Sequence, residues 1–214
     1  MDAPNRRTAW VWVAAAIVIV AVIAVIVIVT KQDRRASEAN ATTTENSPTT
    51  TAVGADSLPP WPAPSDATAA AGNAGLPMLS SEGMAEHIHV HLDVLVDGEP
   101  VPVPANIGID TARRAISPLH THDDSGVIHV ESPVKRGFSL GEFFTEWGVS
   151  LSADNIGGLR ATDGKTVRTY VNGQARTGDP AAIMFAQHDE IALVYGSPEP
   201  GDKVPSTYEF PPGD

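Results

Sequence analysis

The chain has 214 residues, no cysteine, and 26 acidic against 14 basic side chains, for a formal net charge of −12. The lack of cysteine excludes disulfides, thiolate metal sites, iron–sulfur clusters and cysteine nucleophiles, and the acidic balance excludes nucleic acid, which needs a basic footprint. The length allows one ordinary domain plus accessory segments.

The first element is apolar throughout. Ala9 to Val29 reads AWVWVAAAIVIVAVIAVIVIV, with no polar group except the two Trp indoles. Twenty-one residues at about 1.5 Å each span roughly 31 Å, the thickness of a hydrocarbon core. Val and Ile favour strands in water, but in lipid the backbone must satisfy itself, which predicts a helix. Arg6 and Arg7 precede the run, and it ends in Val-Ile-Val-Thr-Lys without a small-residue cleavage site, so a retained signal anchor over 9–30 is expected rather than a cleaved signal. Basic residues on its two sides nearly balance. The Thr-, Ser-, Pro-, Ala- and Gly-rich stretch over 31–81 favours an outside location for the rest of the chain. It has no apolar period and is expected to be a disordered tether, with Trp61 incidental to it.

Strand signals begin at His87. Ile88, Val90, Leu92, Val94 and Val96 alternate with His87, His89, His91 and Asp93, the period of a half-buried strand. Asp97-Gly98 turns the chain into Pro100–Pro104, an edge strand. A second hairpin is expected around Asp123–Gly126, with His120 opposite His129. Ser139 and Glu142 form a capping box for a short helix that Gly148 stops, with Leu140, Phe143, Phe144 and Trp147 as its core stripe. Val167–Val171 and Glu190–Tyr195 read as closing strands. Hairpin, helix and two strands is the order of a β-grasp, with the His120–Glu131 hairpin inserted.

All seven histidines lie past the tether, six of them between 87 and 129. Residues i, i+2 and i+4 of a strand share a face, so His87, His89 and His91 form one row and His120, His122 and His129, with Glu131, form another. Imidazoles at this spacing converge on an ion at about 2.0–2.1 Å. Without thiolates, the ligand set selects Cu(II) or Zn(II). A hydrogen-bonded structural network, with Asp93, Asp123 and Glu131 orienting the rings, and a pH sensor are the competing readings. Hydrolysis would need a general base such as Glu131, Asp123 or Asp124, and no H-E-x-x-H helix, nucleophile elbow or Gly-rich phosphate loop is present. Met78 and Met84 precede the first row as weak Cu(I)-type donors; His188 reads as a turn residue.

The segments HIHVHLDVLVDGEPVPVPANIGID, ISPLHTHDDSGVIHVESP, FSLGEFFTEWGV, YVNG and HDEIALVYG together resemble a family of uncharacterised exported or membrane-anchored bacterial proteins common in actinobacteria. The resemblance covers about 87–210 and implies that the two histidine blocks belong together; it implies no activity. Members often carry two cysteines separated by four residues after the helix, by implication a disulfide. Here Asn155 and Arg160 stand at the ends of that stretch.

The sequence thus predicts an α+β protein. It has a cytoplasmic N-terminus over 1–8, a single-pass transmembrane anchor over 9–30 that makes the bilayer a partner, a disordered linker over 31–81, and an extracytoplasmic β-grasp-like domain over 82–210. That domain is expected to bind Cu(II) or Zn(II) through His87, His89, His91, His120, His122, His129 and Glu131, for metal buffering, delivery or sensing. An envelope metallohydrolase and a non-catalytic structural or partner-binding domain are the alternatives.

Overall fold

The structure, a computed structural model, describes residues 47–198 and 204–213 together with Ile28 and Lys31. The expected anchor and the tether as far as residue 46 lie, those two residues apart, outside the described residues. Among the described residues no helix is long and apolar enough to cross a membrane. The chain divides into two units, 1–47 and 48–214, and the second carries the sheet.

That unit begins with helix α1 (Ala67–Asn73), strand β1 (Glu86–Val96), β2 (Glu99–Val101), the short pair β3 (Ile109–Asp110) and β4 (Ala115–Ile116), β5 (Leu119–His120) and β6 (Val127–Ser132). Helix α2 (Leu140–Trp147) comes next, then β7 (Leu151–Ser152), β8 (Asn155–Ile156) and β9 (Leu159–Arg160), and finally β10 (Thr166–Val171), β11 (Gln174–Arg176) and β12 (Glu190–Gly196). The architecture is mixed α+β, with a large sheet ordered β11-β10-β12-β1-β6-β5 and β2 added to β1.

Strand β1 is the spine of this sheet. Its C-terminal half runs parallel to β12, from His91 opposite Glu190 to Val96 opposite Tyr195. Its other edge is shared, antiparallel, between β6 over Glu86–His91 and β2 over Val94–Val96. Val90, Leu92 and Val94 from β1, with Leu119, Ile128, Val130, Ile191 and Leu193, enter one core with Phe143, Phe144 and Trp147 of α2. The helix starts where the sequence places it: Ser139 Oγ accepts from the Glu142 N–H and Glu142 Oε2 from the Ser139 N–H, both at 3.1 Å. Gly148 closes it at φ 78°, a left-handed conformation in which a side chain is strained.

The expected disordered tether is corrected from residue 48 onward. Residues 48–81 are packed on the domain, and Trp61, read as incidental, is 3 % exposed. Its ring meets Trp147 edge-on at 5.8 Å, its indole N–H donates to the Ser57 carbonyl at 2.9 Å, and its own carbonyl accepts from the Trp147 indole at 3.3 Å. Asp66 caps α1 by accepting from the Ala69 N–H, and Ala71 and Leu76 are buried. Isolated bridges join Ala52 to Leu151, Ala55 to Val149 and Leu79 to Ile116. An alanine helix has no bulky period to reveal it, yet its small face packs closely, and a single tryptophan supplies a large share of the burial.

Replacing a buried Trp with Ala costs about 3–5 kcal/mol. Trp61→Ala is therefore expected to lower the melting temperature by roughly 10 °C, and to open the 48–81 backbone amides to hydrogen exchange. A variant with unchanged melting and exchange would show that this segment is not part of the fold.

Candidate metal centre

The β1–β6–β5 register builds the site. His87 lies opposite Glu131 and His89 opposite His129, while His120 on β5 lies opposite the same His129. Side chains of register partners stand on the same face, so His87, His89, His120, His129 and Glu131 meet on the side of the sheet away from α2, and His122, just past β5, joins them through its ring contacts with His120 and His129. The rings are in contact: His87 with His89 at 5.1 Å, His89 with His129 at 4.6 Å, His129 with His120 at 5.2 Å and with His122 at 4.6 Å.

Glu131 sits at the centre. Its Oε1 is 3.4 Å from His87 Nε2, 3.6 Å from His129 Nδ1 and 3.9 Å from His89 Nε2; its Oε2 is 3.9 Å from His120 Nε2. Two ligand atoms bound to one tetrahedral zinc lie about 3.3 Å apart, given bond lengths near 2.0–2.1 Å. The observed separations, 3.4–3.9 Å, exceed that by up to about half an ångström. Burial works against the charge on Glu131, but the imidazoles of His129, His120 and His87 outweigh it and hold the carboxyl below its ordinary range.

His120 is the most enclosed member, fully buried. Its Nδ1–H donates to the Ser117 carbonyl at 2.9 Å, which fixes the tautomer and leaves the Nε2 lone pair facing Glu131. Burial lowers its pKa to about 4 against the pull of Glu131, so the ring is neutral at physiological pH, the form a metal requires. His120 Nε2 and Glu131 Oε2 are both buried without a hydrogen-bond partner. A shared cation would satisfy both acceptors at once, and the residues present fit one.

His91, expected in the same row, is placed elsewhere. Its strand position beside Glu190 of β12 draws the ring toward that strand. Nδ1 lies 2.7 Å from Glu190 Oε2, and Nε2–H donates to the Ser125 carbonyl at 2.8 Å. Burial disfavours its charge, but Glu190, Ser125 and Asp93 together raise its pKa above the ordinary imidazole range. Both ring nitrogens are engaged and the ring stacks on Tyr208 at 3.8 Å, so His91 stands apart from the cluster around Glu131, in a separate possible ligand set with Asp93 and Glu190.

Other sequence candidates separate in the same way. Asp123 Oδ1 accepts from the Ser125 N–H at 2.9 Å and holds the hairpin turn. Met84 is exposed, Met78 packs against the core, and His188 occupies a turn at φ 63° with its ring on Phe210. Glu82 was not anticipated. Its Oε1 is 3.9 Å from His122 Nε2, and with His120 and Glu131 it forms a further possible ligand set. Gly83 presses its backbone on the Ser132–Pro133 peptide where a Cβ would come within 2.1 Å, a long-range approach that no local sequence signal announces.

Compared with known proteins, the chain matches no family model, no curated protein and no solved structure.

Behind the centre lies a second buried carboxyl. Glu146 of α2 is fully buried. Burial, with nearby Glu142 adding to it and Ser117 opposing, pushes its pKa up to about 8. Above the ordinary value of 4.5 the unfolded chain loses this proton while the folded one keeps it. Its contribution is therefore fully present below pH 4.5 and is lost as pH rises to about 8. Glu146→Gln is expected to raise the melting temperature at pH 8 by on the order of 5 °C and to change it little at pH 5. Equal shifts at the two pH values would contradict a neutral buried carboxyl.

Proposed function

We propose that this chain is a membrane-anchored, extracytoplasmic metal-binding module that holds Cu(II) or Zn(II) for buffering, delivery or sensing. One observation carries the reading: Glu131 and His120, both buried, present partnerless acceptor atoms to each other at 3.9 Å inside a cluster of imidazoles. A structural network would place protons between its members, because buried polar groups that lack partners are costly. Between His120 Nε2 and Glu131 Oε2 two lone pairs face each other instead, which is what a cation requires. Imidazole with carboxylate, and no thiolate, suits Cu(II) and Zn(II).

Binding is favoured over hydrolysis because the site commits its carboxylate as a ligand. Of the carboxylates read as possible general bases, Glu131 sits in the ligand set and Asp123 holds a turn. The anchor and outside location rest on the apolar run Ala9–Val29 and the Ser/Thr/Pro-rich stretch behind it. A β-grasp is supported by the order β2-β1-β12-β10, with β1 and β12 parallel at the middle and α2 between the first hairpin and the last strands. The β5–β6 hairpin then occupies the rest of the β1 edge. Kinship with the exported bacterial family is supported at one further point. Asn155 and Arg160, which match that family's cysteine positions, are register partners on β8 and β9, where a cross-strand disulfide could form.

The full chain, purified without an affinity tag and stripped of metal, is expected to bind Cu(II) or Zn(II) more tightly than micromolar, and more weakly as pH falls below the imidazole pKa of about 6.5. His120→Ala should weaken binding by more than about 100-fold, beyond what loss of a mere supporting residue costs. His91→Ala should melt earlier yet keep its metal affinity. Affinity no tighter than micromolar for either ion would refute the reading.

A further inference from the structure

The ligands outnumber what one ion can use. A tetrahedral site takes four donors, whereas five imidazoles, Glu131 and Glu82 gather here. They do not form one sphere. His87, His89 and Glu131 offer three ligand atoms within 4.8 Å of one another, and His120, His122 and His129 offer three more within the same limit, with no residue common to the two sets. The sets abut along the ring contacts of His89 with His129.

Glu131 faces both. Its Oε1 lies 3.4 Å from His87, 3.9 Å from His89 and 3.6 Å from His129, while its Oε2 lies 3.9 Å from His120. A carboxylate that reaches ligands of both sets, with Oε2 turned to His120 alone, has the form of a bridge between metal ions, which in two-metal sites stand about 3.5–4 Å apart. Oε2 is buried and partnerless, as is His120 Nε2 across from it, so the second set has its own unsatisfied acceptors and is not an overflow of the first.

Resting on the metal-binding reading, we infer that the centre holds two divalent cations bridged by Glu131, one on His87 and His89 and the other on His120, His122 and His129. Two dications bring four positive charges. Glu131 and Glu82 offset two of them, and the net charge of the chain, −12, makes the remainder tolerable. His87 and His122 form the open ends of the two sets, their side chains 36 % and 46 % exposed, whereas His89 and His120 are buried. Ions therefore have an entry at each end.

The test is a Cu(II) titration of the untagged full chain, followed by metal analysis and electron paramagnetic resonance at saturation. The expected result is about two equivalents, with magnetic coupling seen as a half-field transition or as loss of the isolated-ion signal. Glu131→Gln should abolish the coupling. His87→Ala and His122→Ala change exposed ends of the sets and leave the fold intact; each should drop the stoichiometry to about one equivalent with an uncoupled signal. Saturation at one equivalent, or two equivalents without coupling, would overturn the bridged pair while leaving the metal-binding reading in place. No binding at all would remove both.

Discussion

A carboxylate that is almost completely buried needs compensation, because an isolated charge taken out of water costs several kcal/mol even after relaxation. For Glu131 that compensation comes from strand register. Glu131 faces His87 across β1, His129 sits two residues before it on its own strand, and His120 reaches the group because β5 pairs with β6 at His129. A slip of one residue on any of the three strands would turn the histidines into the core and the apolar residues outward. Alternation along each strand prevents this: Val90 and Leu92 of β1 and Ile128 and Val130 of β6 are buried on the α2 side. The hydrophobic core and the polar site are two faces of the same register, and neither can shift without the other.

His91 shows how sharply position decides role. It continues the row of His87 and His89 by two residues, but there β1 passes from its neighbour β6 to the full length of its contact with β12. Glu190 becomes the nearest charge, and the two side chains form a buried ion pair completed by the Ser125 carbonyl and roofed by Tyr208. Such a pair acts as a latch: removing either partner would strand the other charge. It ties β1, β12 and the hairpin turn together beside the centre and keeps the supporting strands rigid, as a preorganised site needs.

Much of this was legible in the chain. Local signals sufficed wherever chemistry is written within a few residues, as in the capping box of Ser139 and Glu142, the stop at Gly148, and the hairpin that sets His120 against His129. The row of imidazoles on β1 was also legible, because period two needs no tertiary knowledge. What escaped were pairings at long range. Nothing local says that Glu190 stands a hundred residues away from His91 yet beside it, or that Glu82 would be laid next to His122. The 48–81 segment escaped for a different reason: its composition is that of a tether, and its order comes from Trp61 meeting Trp147 and from alanines small enough to lie flat on the domain.

Direct metal ligation by Glu131 and the imidazoles around it is the claim on which the proposed function stands. Anomalous diffraction at the copper or zinc edge, from crystals grown with the ion, tests it most directly. The expected map has its strongest anomalous density about 2.0–2.2 Å from His120 Nε2 and from a Glu131 oxygen. Density beside His91, Asp93 and Glu190 instead, or no density within bonding distance of Glu131, would contradict it.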